Sequence, residues 1–332
     1  MVNLCFVLAM DLRKTDGASV HSKSLAAECR AAGIAVESVS FDSLGSSGVA
    51  FALRAPFAVP DGEHVAYLRS PLAFLSIPLL KMRGKKVVLG VAALKHLESP
   101  AWMRQFVKLA EDAAIRWSDG VMTISPGLEK YCRSRGAKKV LVYLPPVDFS
   151  AMQKAKPAAK REAFTIGYVG GKQEWQGLGL LRDALARASG DFKVRVYGDA
   201  TAADFGNNPR VKIMGRVANS SVPSVMKSFD LFVLPRPRHP SAETATPIKL
   251  VEAMACGVPC LVTDVGGATW FVKRGRDAIV CGASAAGIAS GIAWALRNRK
   301  KLPAIGGNGR LRVGAELRGT GGKIRRLLSS LD

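Results

Sequence analysis

Acidic residues are scarce in this chain. Of its 332 residues, 26 are Asp or Glu against 48 Lys or Arg, giving a formal net charge of +22. A charge excess of that size excludes an acidic or charge-balanced surface and points to an anionic partner: nucleotide phosphates, an acidic membrane or nucleic acid. Paired thiols are also lacking. The six cysteines (Cys5, Cys29, Cys132, Cys256, Cys260, Cys281) form no Cys-x-x-Cys pair, and the four histidines are dispersed. A zinc site or a disulfide framework is therefore not expected, and a reducing cytoplasm fits. No apolar run approaches the roughly 20 residues needed to cross a bilayer. No basic region precedes the first strand-like segment, so no signal peptide is expected. No repeat of 20 to 50 residues is present.

What is there is ordinary globular material. Hydrophobic residues make up 48% and aromatics 7%, with 33 Gly and 17 Pro to make short loops. The length allows two domains with proper cores. Residues 2–10 read as a buried strand, 16–19 as a turn, 20–32 as a helix ending at Gly33, and 35–41 as a second strand. That order opens a doubly wound α/β domain, whose ligands bind at the carboxyl ends of the strands. Residues 42–64 are Gly/Ser/Pro-rich and read as irregular. An apolar segment, 72–82, is interrupted by Pro78; from Arg69 to Lys86 there are five basic residues and no acidic one. This segment is read as a core helix with basic ends, with an interfacial helix on anionic lipid as the sharper alternative. Residues 151–162 read as a Lys/Ala/Pro-rich linker, and residues 164–169 start a second strand-helix-strand series. Between Arg297 and Arg326 ten Lys/Arg stand against Glu316 alone. That stretch could be a solvated terminal helix pair, a membrane-facing patch or a nucleic-acid arm.

The most informative run is 243–259, Glu-Thr-Ala-Thr-Pro-Ile-Lys-Leu-Val-Glu-Ala-Met-Ala-Cys-Gly-Val-Pro. Thr246 suits an N-cap and Pro247 the first helical position. Leu250, Val251 and Met254 repeat at helical spacing, and Gly257 and Pro259 end the helix. A helix N-terminus can hold an anion. Lys249 in the first turn opposes the dipole, which makes sense if a phosphate sits between them. At Glu252 a carboxylate can accept two ribose hydroxyls; the other reading of the run is an ordinary capped helix with a surface lysine and glutamate. Upstream, Gly170 and Gly171 let backbone N–H groups approach a phosphate, and Lys172 adds charge.

This run resembles the donor site of retaining glycosyltransferases of family 4, which have the GT-B fold. Their donor motif has two glutamates separated by seven residues and a Met-Ala-x-Gly-x-Pro helix end. Glu252 matches the second glutamate, which binds the donor ribose in the family. Thr244 stands at the first, with Glu243 one residue away. The resemblance implies an α/β chain of two Rossmann-like, doubly wound domains facing across a cleft. Residues 1–150 would form the acceptor-side domain, 151–162 the linker, 163–310 the nucleotide-sugar domain and 311–332 a basic helical segment.

The resemblance also implies a donor site built from Gly17, Gly170, Gly171, Lys172, Arg216, Val217, Glu243, Thr244, Thr246, Pro247, Ile248, Lys249 and Glu252. His96, Lys172 and Lys249 are the candidates for catalysis, with no metal. The family usually has an arginine after Gly170 and a lysine before Gly177; here these are Gly171 and Gln176. Gly90 and Val91 stand where a glutamate is frequent. Arg236, Arg238 and His239 are read as a mobile loop over the donor. The implied reaction is metal-independent, retaining transfer of a hexose from a nucleotide diphosphate sugar to a glycan or lipid-linked hydroxyl. No resident cofactor is expected, and the protein would be cytoplasmic, with an anionic membrane surface as a possible partner. Two alternatives stay open: an epimerase or phosphorylase on the same fold, and a non-enzymatic nucleic-acid binder. The second lacks aromatic-basic interleaving or any recognition motif.

Overall fold

The computed structural model describes residues 3–13, 17–62, 64–69, 72–158 and 163–331. The chain forms two compact units, one from Met1–Pro146 and Glu316–Asp332, the other from Val147–Ala315.

The first unit is built on six parallel strands: β1 (Asn3–Leu8), β2 (Ala35–Ser40), β3 (His64–Arg69), β4 (Lys86–Val91), β5 (Gly120–Thr123) and β6 (Val140–Val142), in the order β2-β1-β3-β4-β5-β6. The central strands are apolar runs without alternation, because helices cover both faces of a parallel sheet. On one side lie α1 (Gly17–Ala31) and the C-terminal α16 (Thr320–Ser329), whose Ile324, Leu327 and Leu328 join Leu4, Phe6 and Leu25 in one core. On the other side lie α3 (Gly48–Ala58), α4 (Ala73–Met82) and α6 (Arg104–Trp117), packed on Val7, Leu68 and Val87. The short α2 (Phe41–Leu44) and α5 (Lys95–Glu98), and α7 (Pro126–Ser134), complete the unit.

The stretch 42–64, expected to be irregular, is largely helical. Pro56 lies inside α3 and has no N–H to give the Ala52 carbonyl. Ser76 Oγ donates to that carbonyl at 2.7 Å, so the helix continues at little cost. Pro78 likewise does not break α4. The Asp16 part of the expected turn lies outside the described residues.

The second unit has α8 (Phe149–Lys154), then β7 (Thr165–Gly170), α9 (Leu178–Arg187), β8 (Lys193–Gly198), β9 (Val211–Gly215), α10 (Val222–Met226) and β10 (Leu231–Leu234). It continues with α11 (Pro240–Thr244), α12 (Ile248–Ala255), β11 (Cys260–Thr263), α13 (Gly266–Thr269), β12 (Ile279–Cys281), α14 (Ala285–Arg297) and α15 (Leu302–Arg318). Its parallel sheet runs β12-β11-β10-β7-β8-β9. Part of the expected linker is therefore ordered: Asp148 caps α8, accepting from Ala151 N at 2.8 Å. Residues 159–162 lie outside the described residues.

In both sheets the first strand has neighbours from opposite windings, β2 and β3 around β1, and β8 and β10 around β7. Those are the topological switch points at which open α/β sheets bind ligands.

Candidate functional site

At the β7/β10 switch point the loop after β7 carries Gly170, Gly171 and Lys172 and ends in a 3-10 turn, Glu174–Gln176. Gly177 follows with φ +76°, and a Cβ there would lie 1.8 Å from the Pro235 carbonyl oxygen. Only glycine lets the two loops touch. Across that contact Arg236 is buried, with its carbonyl accepting from Thr263 Oγ1 at 2.6 Å and its guanidinium 3.4 Å from Gln176 Oε1. A cation therefore stands beside position 176 although residue 176 is not basic. Sequence reasoning placed Arg236 in a mobile loop. Instead the chain is anchored there and proceeds into α11, where His239 Nδ1 accepts from Ser241 N at 3.1 Å.

The three helices at this edge are tied together by side chains. Glu243 accepts from Gly266 N at 2.7 Å and from Arg238 at 3.2 Å. Thr244 Oγ1 donates back to the Pro240 carbonyl at 2.8 Å. Thr246 is not the cap expected. Its Oγ1 accepts from Trp270 Nε1 at 2.7 Å, and Pro247 occupies the N-cap position, so α12 starts at Ile248, one residue later than the sequence suggested. The hydroxyl bonds the indole, and α12 has no side-chain cap bond. Ser241 Oγ is buried without a hydrogen-bond partner among the described residues.

Glu252 projects from α12 and is only 5% exposed. Burial pushes its carboxyl pKa up, with Lys249 opposing the shift. Lys249 Nζ lies 2.9 Å from Glu252 Oε2, an ion pair but without a well-directed hydrogen bond, so the carboxylate keeps accepting capacity. The other two cations proposed for the donor are also paired. Lys172 Nζ is 2.7 Å from Asp204 Oδ2, and this contact, with bonds from Thr201, lowers the Asp204 pKa to about 2. Arg216 is bonded to Asp199. Val217 is half-buried beside it. Neither Asp204 nor Asp199 was singled out by sequence reasoning, since no local pattern links them to residues 12 or more positions away.

In the first unit Gly17 opens α1, and a cavity of about 310 Å3 sits at the β1/β3 switch point, lined by Met10, Ala18, Arg69, Gly90, Leu94 and Glu111 among others. A Cβ on Gly90 would lie 2.1 Å from the Tyr67 hydroxyl oxygen. The glutamate frequent at this position in family 4 has no room here. His96 is buried; its Nδ1 lies 2.7 Å from Glu111 Oε2, while Glu111 Oε1 accepts from Lys95 N at 2.6 Å. Glu111 thus clamps the loop that holds His96. Among the described residues no group of three or more His, Cys, Asp or Glu could hold a metal ion.

Comparison with known proteins bears directly on this geometry. Residues 163–298 match the glycosyl transferases group 1 family. The chain is 28% identical over 295 residues to the GDP-mannose-dependent alpha-(1-6)-phosphatidylinositol monomannoside mannosyltransferase of Mycobacterium tuberculosis, covering 80% of this chain and 75% of that one. Among solved structures, Anabaena HepE in complex with UDP and glucose superposes with a TM-score of 0.76 at 19% identity, over 99% of this chain and 100% of that one. Sucrose-phosphate synthase from Thermosynechococcus elongatus does so with a TM-score of 0.76 at 16% identity and the same coverage. The fold is GT-B. The chain is a glycosyltransferase, and its second unit contains the glycosyl transferases group 1 match.

Proposed function

We propose that the chain transfers a hexose from a nucleotide diphosphate sugar to a hydroxyl of a glycan or lipid-linked acceptor, with retention and without a metal, as in family 4. The observation that carries this is the buried Glu252 carboxylate, held by Lys249 at the carboxyl edge of the second sheet with accepting capacity to spare. It would take the two ribose hydroxyls. The diphosphate would lie by the α12 N-terminus, Lys249, Lys172 and Arg236, which meet the charge that grows as the leaving group departs. The bond from the anomeric carbon to the diphosphate oxygen breaks. A new bond to the acceptor oxygen forms on the same face, and the acceptor proton goes to the leaving phosphate. This scheme uses no resident cofactor.

The mannosyltransferase relative acts on a phosphatidylinositol glycoside, and the basic surface here suits an acceptor at an anionic membrane face, reached from the cytoplasm. An epimerase or phosphorylase would share the donor site and differ in product: free sugar or epimerised donor rather than transferred sugar. A nucleic-acid binder would show duplex binding with a steep salt slope and no donor affinity. A thermal-shift screen with GDP-mannose, UDP-glucose and other nucleotide sugars tests the reading. Stabilisation by a sugar nucleotide, followed by detected transfer, is the expected result; no stabilisation by any nucleotide sugar defeats it.

A further inference from the structure

Three adjacent helices of the first unit, α3, α4 and α6, cover one side of its sheet, with α4 packed against both others. Their inner faces are spent on the core: Phe51 and Ala55, Ile77 and Leu80, Ala114 and Ile115. Their outer faces should be polar. They are not. Along α3 the outward positions are Val49, Leu53 and Phe57, a single stripe at four-residue spacing, with Phe57 67% exposed. Along α6 the stripe is Phe106 and Leu109, 60% and 66% exposed, preceded by Trp102, 82% exposed, in the turn before the helix, and continued by Trp117. Met82, 83% exposed, stands at the end of α4 between them. The Phe74 and Phe106 rings meet edge to face, 6.3 Å apart, joining the α6 stripe to α4. Of ten large exposed apolar side chains among the described residues, eight lie on or beside these helices.

The unpaired charge on this layer has one sign. Arg54, Arg104 and Arg116 are exposed and have no acidic partner among the described residues. The acids present are engaged: Asp61 with Arg83, Asp112 with Lys108, Asp119 with Lys81, and Glu111 with His96. A second copy of the chain on this face would bring these cations together. A bilayer with anionic headgroups would pair with them while accepting the apolar stripes at its boundary.

We infer that the α3–α4–α6 layer is a docking surface for an anionic phospholipid membrane, with Trp102, Phe106, Leu109 and Phe57 entering the interface and Arg54, Arg104 and Arg116 contacting headgroups. This rests on the membrane reading above and names the surface that serves it. It also moves that surface. The C-terminal helix α16 buries its apolar face in the core and has no such stripe.

The test uses the full chain and phosphatidylcholine vesicles with or without phosphatidylglycerol, scored by co-sedimentation, with melting followed by circular dichroism. The expected result is binding to the anionic vesicles that fades as salt rises. It should weaken about tenfold or more in Trp102→Ser/Leu109→Ser, whose exposed positions leave the melt unchanged. Arg104→Gln/Arg116→Gln should lower binding and flatten its salt dependence. A wild-type chain that ignores anionic vesicles at low salt overturns both the membrane reading and this surface. Wild-type binding that survives the Trp102/Leu109 change overturns the surface alone. Self-association abolished by that change, without vesicle binding, gives the face to a second copy and overturns the inference.

Discussion

Lys249 and Glu252 sit one helical turn apart on α12, and their side chains meet at 2.9 Å with the carboxylate almost wholly buried. A lone ion pair does not recover the cost of burying a carboxylate, and the raised Glu252 pKa records the shortfall. The residue is therefore kept at the expense of stability, as binding residues often are.

Glu252→Gln should show both sides of that trade. A carboxyl whose pKa is raised on folding holds its proton longer in the folded state. Stability then falls as pH rises from the ordinary value of 4.5 through the raised one, and the loss is complete above it. The variant lacks this titration, so its melting temperature relative to wild type should climb as pH rises above 4.5 and level off once the raised pKa is passed. Donor affinity, measured by calorimetry, should drop by roughly 2 kcal/mol, since charge-assisted bonds to the ribose are lost. Unchanged affinity in the folded variant would remove Glu252 from the donor site.

In the proposed scheme Asp204 competes with the donor for Lys172. The pair is surface-exposed and screened by solvent, so releasing the lysine has a small effect. Asp204→Asn should tighten nucleoside diphosphate binding up to about fivefold, an effect that shrinks with salt. Lys172→Ala should lower turnover and make the Asp204 change silent. An Asp204→Asn variant with wild-type affinity in low salt would place the phosphates away from Lys172.

Most strands and the long helices could be read from sequence, because a parallel sheet leaves apolar runs and its helices leave a 3.6-residue period. The strands expected over 35–41 and over 164–169 stand at Ala35–Ser40 and Thr165–Gly170. Helix α3 could not be read. The Gly/Ser/Pro-rich stretch that contains it reads as loop, and what rescues it, Ser76 reaching the Ala52 carbonyl, is 24 residues away. In the candidate site, what was legible is local, as in the Lys249 to Glu252 spacing on one helix. Its charge balance was not. The acids that hold Lys172 and Arg216, and the placement of Arg236 beside Gln176, arise from packing of loops distant in sequence. Trp270 drawing Thr246 away from capping is the same kind of long-range preference overriding a local one.

Ser76→Ala tests that rescue. It should leave the Ala52 carbonyl buried without a donor, costing about 1–3 kcal/mol and lowering the melting temperature by several degrees. A variant with the wild-type melt would mean that water or a local shift satisfies the carbonyl.

Gly177 separates the geometry of the proposed donor site from its charge. The residue has φ +76°, and its Cα lies against the Pro235 carbonyl so closely that a Cβ would sit 1.8 Å from the oxygen. Gly177→Ala would meet the left-handed penalty of about 1 kcal/mol and an overlap with backbone, which cannot rotate away as a side chain can. The overlap forces the Gly170–Gly177 loop and the Pro235–Arg236 segment apart. No charge is removed, so Lys172, Lys249 and Arg236 all remain. If the diphosphate is held by their convergence, turnover should fall at least tenfold, with Arg236 no longer beside Gln176. Binding of the bare nucleoside, which in the proposed scheme depends on Glu252, should change less. Steady-state transfer kinetics beside calorimetric titration with the nucleoside measure the two separately. A variant that melts lower yet turns over at the wild-type rate would show that the contact serves stability alone and that the charges need no such alignment.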